Sequence, residues 1–425
     1  MIKTAPDSSQ LTAPLNSVTS EIWLHVDLNA YFATLIQQEV PALRGKPLVI
    51  VKEAGRTCVI AASKEAKKLG VKTGTSVAEA QILIPTVKIV PAAFNQYQSA
   101  TKQLYKLFMS LSPDVELFSL DEAFIFYTSI QHLYPTVQHF AQLVQQKIKQ
   151  SLGEWVTCNV GIGPNRLIAK MTSEQAPKGS ICQTLADDVT ALLARTSFVD
   201  VCGVGRALSA RLARLGVFTP LQITFLDDAT LKLMFGPFWS KELRKIGLGE
   251  EPQFLAQFNS RNKLKSVSRS ITTYTFKTNP QQIKAILCNL ASECVDKMRA
   301  LHLASHHSSI FLSGHDRFWQ HHFATQFPLH QQLPIQAAIQ QLINQWPKTF
   351  PVLRFGVRLD ALSSFHPTPL LPEYWKLEVV QQALDRINTK YGIFTLRTGA
   401  LLPMASLIRP EVTGFLGDKI YQLRD

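Results

Sequence analysis

The sequence predicts a multidomain α+β protein. Its 425 residues exceed the usual size of one compact core, and 46% of them are hydrophobic, so several globular domains are expected. Strand-like runs alternate with helical patterns in the first part of the chain, and a mostly helical block follows at about residues 181–255. After the polar, basic stretch at 259–266 the alternation starts again. These observations indicate two mixed α/β regions with a helical region between them.

The first mixed region contains alternating strands and helices. IWLHVDLNAYFATL begins as a strand and continues into a helix, LRGKPLVIV, TCVIAAS and TVKIVPA are strands, and KEAKKLG is a helix that ends at Gly70. A helix over 95–111 precedes VELFSLDEAFIFY, whose pattern predicts two strands around a tight turn near Ser119. A helix from about 134 to 151, the strand WVTCNVGIG and the helix NRLIAKMTSEQA complete the region.

The second mixed region has the order strand, helix, strand, strand, helix, strand. Its strands are VSRSITTYTF, SHHSSIFLSG, FWQHHFATQF and VLRFGVRLDAL, and its helices are NPQQIKAILCNLASECVDKMRAL and LPIQAAIQQLINQW. This order predicts a compact sheet backed by two helices. A final helix is expected near 376–391, followed by a tail. Residues 1–19, rich in Ser, Thr and Pro, indicate a disordered lead-in rather than a signal peptide.

Composition limits the partners and the compartment. The formal net charge of +13 and the pI of about 9.4 favour a polyanionic partner, either nucleic acid or an anionic membrane surface. Six cysteines without a CxxC pair or zinc-ligand spacing indicate reduced thiols in a cytosolic protein. No apolar run is long enough to cross a bilayer, so we expect no membrane span.

Two apolar strands carry acidic residues at their ends. Asp27 lies at the end of one strand, and Asp121 and Glu122 lie in FSLDEAF. Because neighbouring residues of a regular strand point to opposite faces, Asp121 and Glu122 can share a site only where the backbone leaves ideal geometry, as beside a hairpin turn. Three converging carboxylates repel one another, and hard oxygen ligands favour magnesium. The same acids could instead cap helices or pair with Lys and Arg, and the residues alone leave both interpretations open.

Several motifs together resemble those of the Y-family, or translesion, DNA polymerases. HVDLNAYFA followed by FSLDEAF resembles the family's signature pair, and GKPLVIV, CVIAASKEAKKLGVKTG, VGIGPNRLIAK, KLKSVSRS and QQALDRINTKYG occur in the family's order. The resemblance covers about residues 20–400. The motif DLN, in place of DxD, resembles the motif of the branch that includes the SOS mutagenesis polymerase of bacteria.

The resemblance implies a right-hand polymerase fold with small fingers, a helical thumb that contains a helix-hairpin-helix element at VCGVG, and a βαββαβ little finger. We expect these domains in chain order: a palm at 20–34 and 90–180, fingers at 35–89, a thumb at 181–258, a linker at 259–266, a little finger at 267–365, and a C-terminal helix and tail at 366–425.

The resemblance also implies a site for two magnesium ions in the palm. Asp27, Asp121 and Glu122 would hold the ions together with the Leu28 carbonyl. One ion would lower the pKa of the primer 3′-hydroxyl, and the other would grip the triphosphate. Asp27 and Asp121 would bridge both ions, and Glu122 would serve the catalytic one. Asn29 stands where many relatives have a second Asp, and it supplies no charge.

Nucleotide-binding positions follow from the same resemblance. Phe32 would be the steric gate that leaves no room for a 2′-hydroxyl, and backbone N–H groups of Ala30 and Tyr31 at a helix start would meet the triphosphate. Three lysines would neutralise the triphosphate, namely Lys64, Lys67 and Lys170. The first two replace a Tyr and an Arg that relatives often carry, and an ammonium acts as a point charge rather than a bidentate fork.

DNA contacts are implied in the thumb and the little finger. Gly203 and Gly205 of VCGVG would let backbone N–H groups approach DNA phosphates without sequence preference. Five residues at the start of the little finger would grip the template backbone: Lys263, Lys265, Ser266, Ser268 and Arg269. The histidines at 306, 307, 321 and 322 have no obvious acidic or Cys partner, and we expect them to face solvent or DNA rather than a metal.

The implied function is template-directed, low-fidelity DNA synthesis from dNTPs on primer–template DNA, for translesion synthesis and DNA repair. No acid-rich motif set indicates a proofreading exonuclease, and YQLRD is a poor match to a sliding-clamp peptide. We expect a monomer in the bacterial cytoplasm, associated with the nucleoid and with no membrane partner. One alternative is a catalytically inactive DNA-binding scaffold, which the intact acids disfavour. Another is a nucleotidyl cyclase, which shares a related palm but explains neither the thumb nor the little finger.

Overall fold

The computed structural model describes residues 21–52, 58–256, 264–364, 372–392, 395–399 and 401. The described residues fall into two compact units, one ending at residue 256 and the other starting at residue 264. The predicted lead-in at 1–19, Lys263, and most of the predicted linker and tail lie outside the described residues.

The first unit contains the following elements in chain order: β1 Trp23–Leu28, α1 Tyr31–Glu39, β2 Leu48–Val51, β3 Val59–Ala62, α2 Lys64–Lys68, α3 Val77–Leu83, β4 Lys88–Pro91, α4 Phe94–Leu111, β5 Val115–Leu117, β6 Glu122–Phe126, α5 Val137–Leu152, β7 Cys158–Gly163, α6 Arg166–Gln175, β8 Ile181–Gln183, α7 Val189–Arg195, α8 Arg206–Ala213, α9 Asp228–Leu248 and α10 Gln253–Ala256.

The predicted palm is a five-stranded sheet in the order β5-β6-β1-β7-β8, with β1 at its centre. Both faces of β1 are covered because its side chains alternate between two apolar layers. Leu24 and Val26 pack with α4 and α5, whereas Trp23 packs in the layer that contains α6. By the same alternation, His25 and Asp27 lie on the α6 side of the sheet.

The boundary predicted between palm and thumb is displaced by one strand. β8 pairs in parallel with β7, so the palm sheet extends to Gln183 and the boundary at 180 cuts through it. The strand was missed because only three residues, Ile181–Gln183, form it, and two of them are only partly buried. A strand this short shows too little alternation to be recognised.

The predicted fingers form a three-stranded sheet in the order β3-β2-β4, with a small core of their own that includes Val49, Val59 and Ala66. α2 begins after Ser63, whose side chain accepts the Ala66 N–H at 3.3 Å. α3 is an additional, unpredicted helix. It buries a single side chain, Ala80, so its sequence shows no apolar periodicity.

The predicted thumb consists of α7 to α10 and several short 3₁₀ turns. α9 spans 21 residues but consists of two shorter helices, in agreement with the prediction of mostly short helices. α9 bends at Gly236, where φ is 79° and ψ is 172°, immediately before Pro237. Proline lacks the N–H that would continue the helical hydrogen bonds, which accounts for the bend at this point.

The second unit contains the following elements: β9 Ser266–Lys277, α11 Pro280–Ala300, β10 Leu303–Ser313, β11 Phe318–Leu329, α12 Gln332–Asn344, β12 Val352–Ser364 and α13 Pro372–Tyr391. The predicted βαββαβ order of the little finger is therefore confirmed. Its four strands form an antiparallel sheet in the order β11-β10-β12-β9, and α11 and α12 cover one face with a shared apolar core.

α13 begins at Pro372, four residues before the predicted start, and it packs on the little finger. Its buried side is polar. Arg299 of α11 donates to Glu378 at 3.0 Å and to Asp385 at 2.7 Å, so the helix is attached mainly through ion pairs. None of the described helices of either unit is both long enough and apolar enough to span a membrane.

Candidate active site

The adjoining ends of β1 and β6 bring the three predicted acids side by side. Asp27 of β1 is the register partner of Glu122 of β6, and paired residues in such strands have Cα atoms about 5 Å apart. The Leu28 N–H donates to the Asp121 carbonyl at 3.0 Å, which holds the turn before β6 against the end of β1. Acids that are far apart in the sequence therefore meet at one edge of the sheet.

A tight turn before β6 lets two neighbouring acids reach the same edge. The Phe118 and Ser119 N–H groups both donate to the Glu122 carbonyl, at 3.0 and 3.1 Å. The Ser119 hydroxyl bonds the Asp121 carboxylate and also accepts the Asp121 N–H at 3.2 Å. Asp121 lies in the turn and Glu122 is the first residue of the strand. The predicted turn near Ser119 is confirmed.

Two of the acids resist ionisation. Burial, followed by the charges of Glu122 and Asp121, raises the pKa of Asp27 from its ordinary value of 3.8 to about 7. Burial is also the main cause that raises the pKa of Asp121. Carboxylates in this arrangement repel one another, and a bound divalent cation would relieve that repulsion.

Glu122 is ionised because it has cationic and polar neighbours. Burial opposes its charge, but the His25 ring, with Nε2 at 3.6 Å, and the Lys170 ammonium, with Nζ at 2.9 Å, outweigh burial and lower the pKa of Glu122 to about 2. Lys170 also pairs with Glu174 at 2.9 Å. Burial works against the charge of Lys170, but the attraction of the two glutamates raises its pKa. The predicted triphosphate-binding lysine is thus engaged with a predicted metal ligand.

His25 is a component of the site that sequence reasoning missed. Its side chain is fully buried between Glu122 and Ser173, whose hydroxyl lies 2.6 Å from Nδ1. Burial lowers the pKa of His25 to about 4, so the ring is neutral at neutral pH. The signal in the sequence was its position two residues before Asp27, which places both on one face of the strand.

The donor set fits a hard divalent cation such as magnesium. Three carboxylates lie next to one another at the end of β1, beside the backbone of Leu28. In the described parts of the chain, no three His, Cys or acidic side chains are already gathered around one point. Lys170 holds Glu122, and Ser119 holds Asp121. These contacts engage one oxygen of each carboxylate, Glu122 Oε2 and Asp121 Oδ1, so the second oxygen of each can bind an ion.

Replacing Asp27 with asparagine should stabilise the ion-free protein. The pKa of Asp27 is higher in the folded chain than in the unfolded one, so ionisation favours unfolding as pH rises from about 4 to about 7, and the penalty is complete above pH 7. We expect Asp27→Asn to raise the free energy of unfolding in urea by about 4 kcal/mol at pH 8, with less than half of that gain at pH 5.

The control for this measurement is magnesium. Mg²⁺ should stabilise the wild type at pH 8 more than it stabilises Asp27→Asn, because the variant lacks one ligand charge. A variant that is less stable than the wild type at pH 8 without divalent ions would contradict this account of the site.

Helix α1 begins with an uncommon backbone conformation beside the acids. Ala30, the residue before the helix, has φ 51° and ψ 44°, in the left-handed region. The Thr34 N–H donates to the Ala30 carbonyl at 2.9 Å, so the N–H groups before Thr34 have no partner within the helix. Such groups, including those of Ala30 and Tyr31, can bind an anion.

The Phe32 ring is held by other aromatic rings. It stacks on Tyr97 with ring centroids 4.1 Å apart and an interplanar angle of 9°, and Phe94 meets it edge-on at 6.3 Å. The Tyr31 side chain points into the core, where its hydroxyl donates to the Tyr97 carbonyl at 2.8 Å and contacts Thr101 at 3.0 Å. Tyr31 can therefore offer a ligand only its backbone, whereas Phe32 is partly exposed.

The lysines of α2 approach the palm from the fingers. Lys64 Nζ donates to the Thr157 hydroxyl at 2.9 Å, and the Thr157 carbonyl accepts the Asn29 N–H at 2.8 Å. Burial lowers the pKa of Lys64 and of Lys67. The charges of Asp27 and Asp121 act on the pKa of Lys67 in the opposite direction.

The two glycines of VCGVG have different structural roles. Gly203 has φ +85°, and a Cβ at this position would lie 2.5 Å from the Phe254 ring, so both the turn and the packing require glycine. Gly205 is the residue before α8, and a Cβ there would meet open space. Gly205 therefore leaves the start of α8 accessible.

The little-finger sheet turns only some of the predicted DNA-binding residues towards its open face. Ser268 is exposed and pairs with Arg358 of β12, whereas Arg269 points to the helix-covered face, where it lies 3.6 Å from Glu293 of α11. The Arg269 side chain is thus on the side of the sheet that α11 covers, and its predicted DNA contact stays a prediction. Arg354 and Arg358 of β12 are exposed, and their alternation with buried Phe355 and Val357 is visible in the sequence.

The remaining predicted residues of this region are Ser266, at the start of β9, and Lys265, which is exposed just before β9. Lys263 lies outside the described residues.

Contrary to expectation, one of the four histidines has an acidic partner. His307 Nδ1 lies 2.6 Å from Asp360, and its ring contacts that of His322 with centroids 5.2 Å apart. Asp360 is on the neighbouring strand β12, so the pair depends on strand register and is invisible in the sequence.

Comparisons with known proteins agree with the fold. The model of the impB/mucB/samB family matches residues 26–174, and the model of that family's C-terminal domain matches residues 264–369, together more than half of the chain. DNA polymerase IV of Pelotomaculum thermopropionicum is 29% identical over 396 residues, which cover 91% of this chain and 96% of that protein. DNA polymerase IV of Xanthomonas campestris pv. campestris is 31% identical over 231 residues, 54% of this chain and 64% of that protein.

Solved structures show the same architecture. A chimaeric Y-family DNA polymerase superposes with a TM-score of 0.69 and 22% identity, covering 81% of this chain and 99% of that one. An insertion ternary complex of Dbh DNA polymerase superposes with a TM-score of 0.54 and 21% identity, covering 80% and 98%. The predicted right-hand fold is therefore confirmed. By the two family models and the shared fold, the chain belongs to the Y-family of DNA polymerases.

Proposed function

We propose that this protein is a low-fidelity, template-directed DNA polymerase that adds dNMPs to a primer 3′ end during translesion synthesis. The observation that carries the proposal is the meeting of three acids at one edge of the palm sheet. Asp27 pairs in register with Glu122, and the Asp121 carbonyl is bonded to the end of β1. A catalytically inactive scaffold would not need acids whose pKa values are raised by burial and, to a lesser extent, by their mutual repulsion.

Asp27, Asp121 and Glu122 would hold two magnesium ions, with the Leu28 carbonyl as a further ligand. When bound, the ions supply a lower pKa for the primer 3′-hydroxyl and neutralise charge on the phosphates. Glu122 would give up its bond to Lys170 on binding an ion. The Lys170 ammonium, released from Glu122, would then be available to the triphosphate. The same lysine thus stabilises the ion-free site and binds the nucleotide.

The start of α1 would orient the nucleotide. Backbone N–H groups of Ala30 and Tyr31 would contact the triphosphate, because they have no partner within the helix. Phe32 would lie beneath the sugar, and its stacking on Tyr97 would prevent the ring from moving aside for a 2′-hydroxyl. Lys64 and Lys67 would neutralise phosphate from the fingers.

DNA would be bound through phosphates. In the first unit, we propose that the N–H groups of Gly203 and Gly205 serve this contact, since a Cβ at Gly205 would meet open space. In the second unit, we propose that the open sheet face serves it, with Lys265, Ser266 and Ser268 and the two arginines of β12, Arg354 and Arg358. We further propose that the protein works as a cytoplasmic monomer without proofreading activity and that any sliding-clamp contact uses no standard peptide.

Primer extension tests the proposal. With Mg²⁺, dNTPs and a primed template, the wild type should extend the primer in template order and should continue past an abasic site. Product should be absent when the template is omitted. Binding of primer–template DNA without any extension would favour an inactive scaffold, and formation of cyclic nucleotide from ATP without a template would favour a cyclase.

A further inference from the structure

Two phenylalanine rings lie on the open face of the little-finger sheet, the face that α11 and α12 leave uncovered. In β10, Ile310 and Leu312 belong to the core under the helices, so Phe311 between them points to the open face. In β11, Trp319 packs against the same core, so its neighbour Phe318 also points to the open face, where it is 63% exposed. An exposed ring of this kind is accessible to a ligand.

The Phe311 ring lies over a position that has no side chain. Gly356 of β12 is the register partner of Phe311, and a Cβ at Gly356 would come 1.9 Å from the ring. The ring therefore occupies space that any other residue at this position would fill. Phe318 stacks beside it, with ring centroids 6.0 Å apart and an interplanar angle of 25°. The two nearly parallel rings form one aromatic surface, which we call the aromatic platform.

Positive charge borders the aromatic platform. The Arg354 guanidinium of β12 lies 5.5 Å from the centroid of the Phe311 ring, and Arg358 follows on the same side of that strand. Asp360 is the only acid among the described strand residues of this face. Its carboxylate is engaged by Arg358 at 3.0 Å and by His307 at 2.6 Å. The surroundings of the platform therefore favour an anionic ligand.

Aromatic rings beside guanidinium groups match the chemistry of an unpaired nucleotide. A nucleobase can stack on an aromatic ring or on a guanidinium plane while its phosphate pairs with a neighbouring arginine. In a duplex the faces of the bases are already stacked on neighbouring base pairs, so only unpaired nucleotides can use such a surface. Phosphate contacts alone do not use an exposed ring.

We propose that Phe311 and Phe318 bind the bases of single-stranded DNA, while Arg354 and Arg358 hold the adjacent phosphates. The choice of DNA as the ligand rests on the proposed polymerase function, which uses this face only for phosphate contacts. Every base has a flat aromatic face, so the aromatic platform would bind without sequence preference. It would let the second unit distinguish unpaired DNA from duplex DNA.

Oligonucleotides with and without bases test this site. The affinity of the full chain is measured by fluorescence anisotropy for a single-stranded oligothymidylate and for an abasic oligonucleotide of the same length, which carries the same phosphates. Phe318→Ala should weaken binding of the oligothymidylate about 10-fold, because it removes one stacking surface. The same variant should bind the abasic strand as the wild type does.

Four further variants complete the experiment, and all should show wild-type circular dichroism. Phe318→Tyr keeps the aromatic ring and should retain wild-type affinity for both strands. Phe318→Leu keeps apolar bulk without a ring and should lose most of the affinity that Phe318→Ala loses. Leu333→Ala removes an exposed apolar side chain from α12, on the covered side of the sheet, and should behave as wild type. Arg354→Ala should weaken binding of both strands, because it removes a phosphate contact.

Two results would overturn the site. One is wild-type affinity of Phe318→Ala and Phe318→Leu for the oligothymidylate, which would leave the rings to an apolar protein partner. The other is an equal loss of affinity for both strands in these variants, which would show that the ring supports only the fold or the phosphate contacts.

Primer extension separates this site from the polymerase function. If extension fails but Phe318→Ala loses affinity for the oligothymidylate alone, the polymerase function is wrong and the single-strand site stands. If extension succeeds and Phe318→Ala binds the oligothymidylate as the wild type does, only the assignment of the aromatic platform is wrong.

Discussion

Asp121→Ala should reduce kcat for primer extension by about 1,000-fold or more, which corresponds to about 4 kcal/mol of lost transition-state stabilisation. Asp121 is the acid that would bridge both ions, and it lies in the turn attached to β1 through the Leu28 N–H. Its pKa is raised mainly by burial, so its ionised form is costly, and a bound cation would stabilise it. Glu122→Gln should lower kcat less, because it would serve only one ion.

Asp187→Ala is the matched control for this experiment. Asp187 is an exposed acid on a 3₁₀ turn of the same unit. The control should extend primers as the wild type does, and all variants should show wild-type circular dichroism and bind primer–template DNA. If Asp121→Ala retains more than a tenth of the wild-type kcat, the proposed roles of the acids are incorrect.

Phe32→Ala should reduce discrimination against ribonucleotides by about 100-fold, measured as the ratio of kcat/KM for dNTP to that for the matching rNTP. The change should arise mainly from improved use of rNTPs. Phe32 stacks on Tyr97 at 4.1 Å and is met edge-on by Phe94, so a 2′-hydroxyl cannot displace the ring without breaking both contacts. Removing the ring opens space without touching a predicted metal ligand.

Phe32→Tyr is the conservative control, since it keeps the ring and its stacking partner. It should preserve the discrimination ratio and most of the dNTP activity. An unchanged ratio in Phe32→Ala would remove the gate assignment. Equal losses of dNTP and rNTP activity in that variant would instead indicate that the ring only maintains the fold.

The strands that carry the acids could be predicted because each is an apolar run with acidic residues at one end. β1 and β6 are mostly buried, so their sequences are hydrophobic up to the acidic positions. The turn near Ser119 could be predicted from the same break in pattern, and the βαββαβ order followed from alternating periodicities. In each case the local sequence carries the physical cause of the structure.

Other features depend on contacts between distant parts of the chain. Arg269 lies in VSRSITT, a strand with polar residues on both faces, so the pattern could not show which face is covered. Its pairing with Glu293 appears only when α11 is packed on the sheet. The Lys170–Glu122 pair and the burial of His25 likewise join elements separated by 48 or more residues. Such pairs have no signature in one sequence.

The proposed polymerase activity depends most on the capacity of Asp27, Asp121 and Glu122 to hold two divalent ions together. Counting Mn²⁺ by electron paramagnetic resonance tests this capacity directly, using the full chain with a dideoxy-terminated primer–template and the correct dNTP. We expect two bound ions per wild-type complex and a loss of tight binding in Asp27→Asn and Asp121→Ala. Absence of bound Mn²⁺ in the wild type, or the same count and affinity in both variants, would contradict the proposed active site.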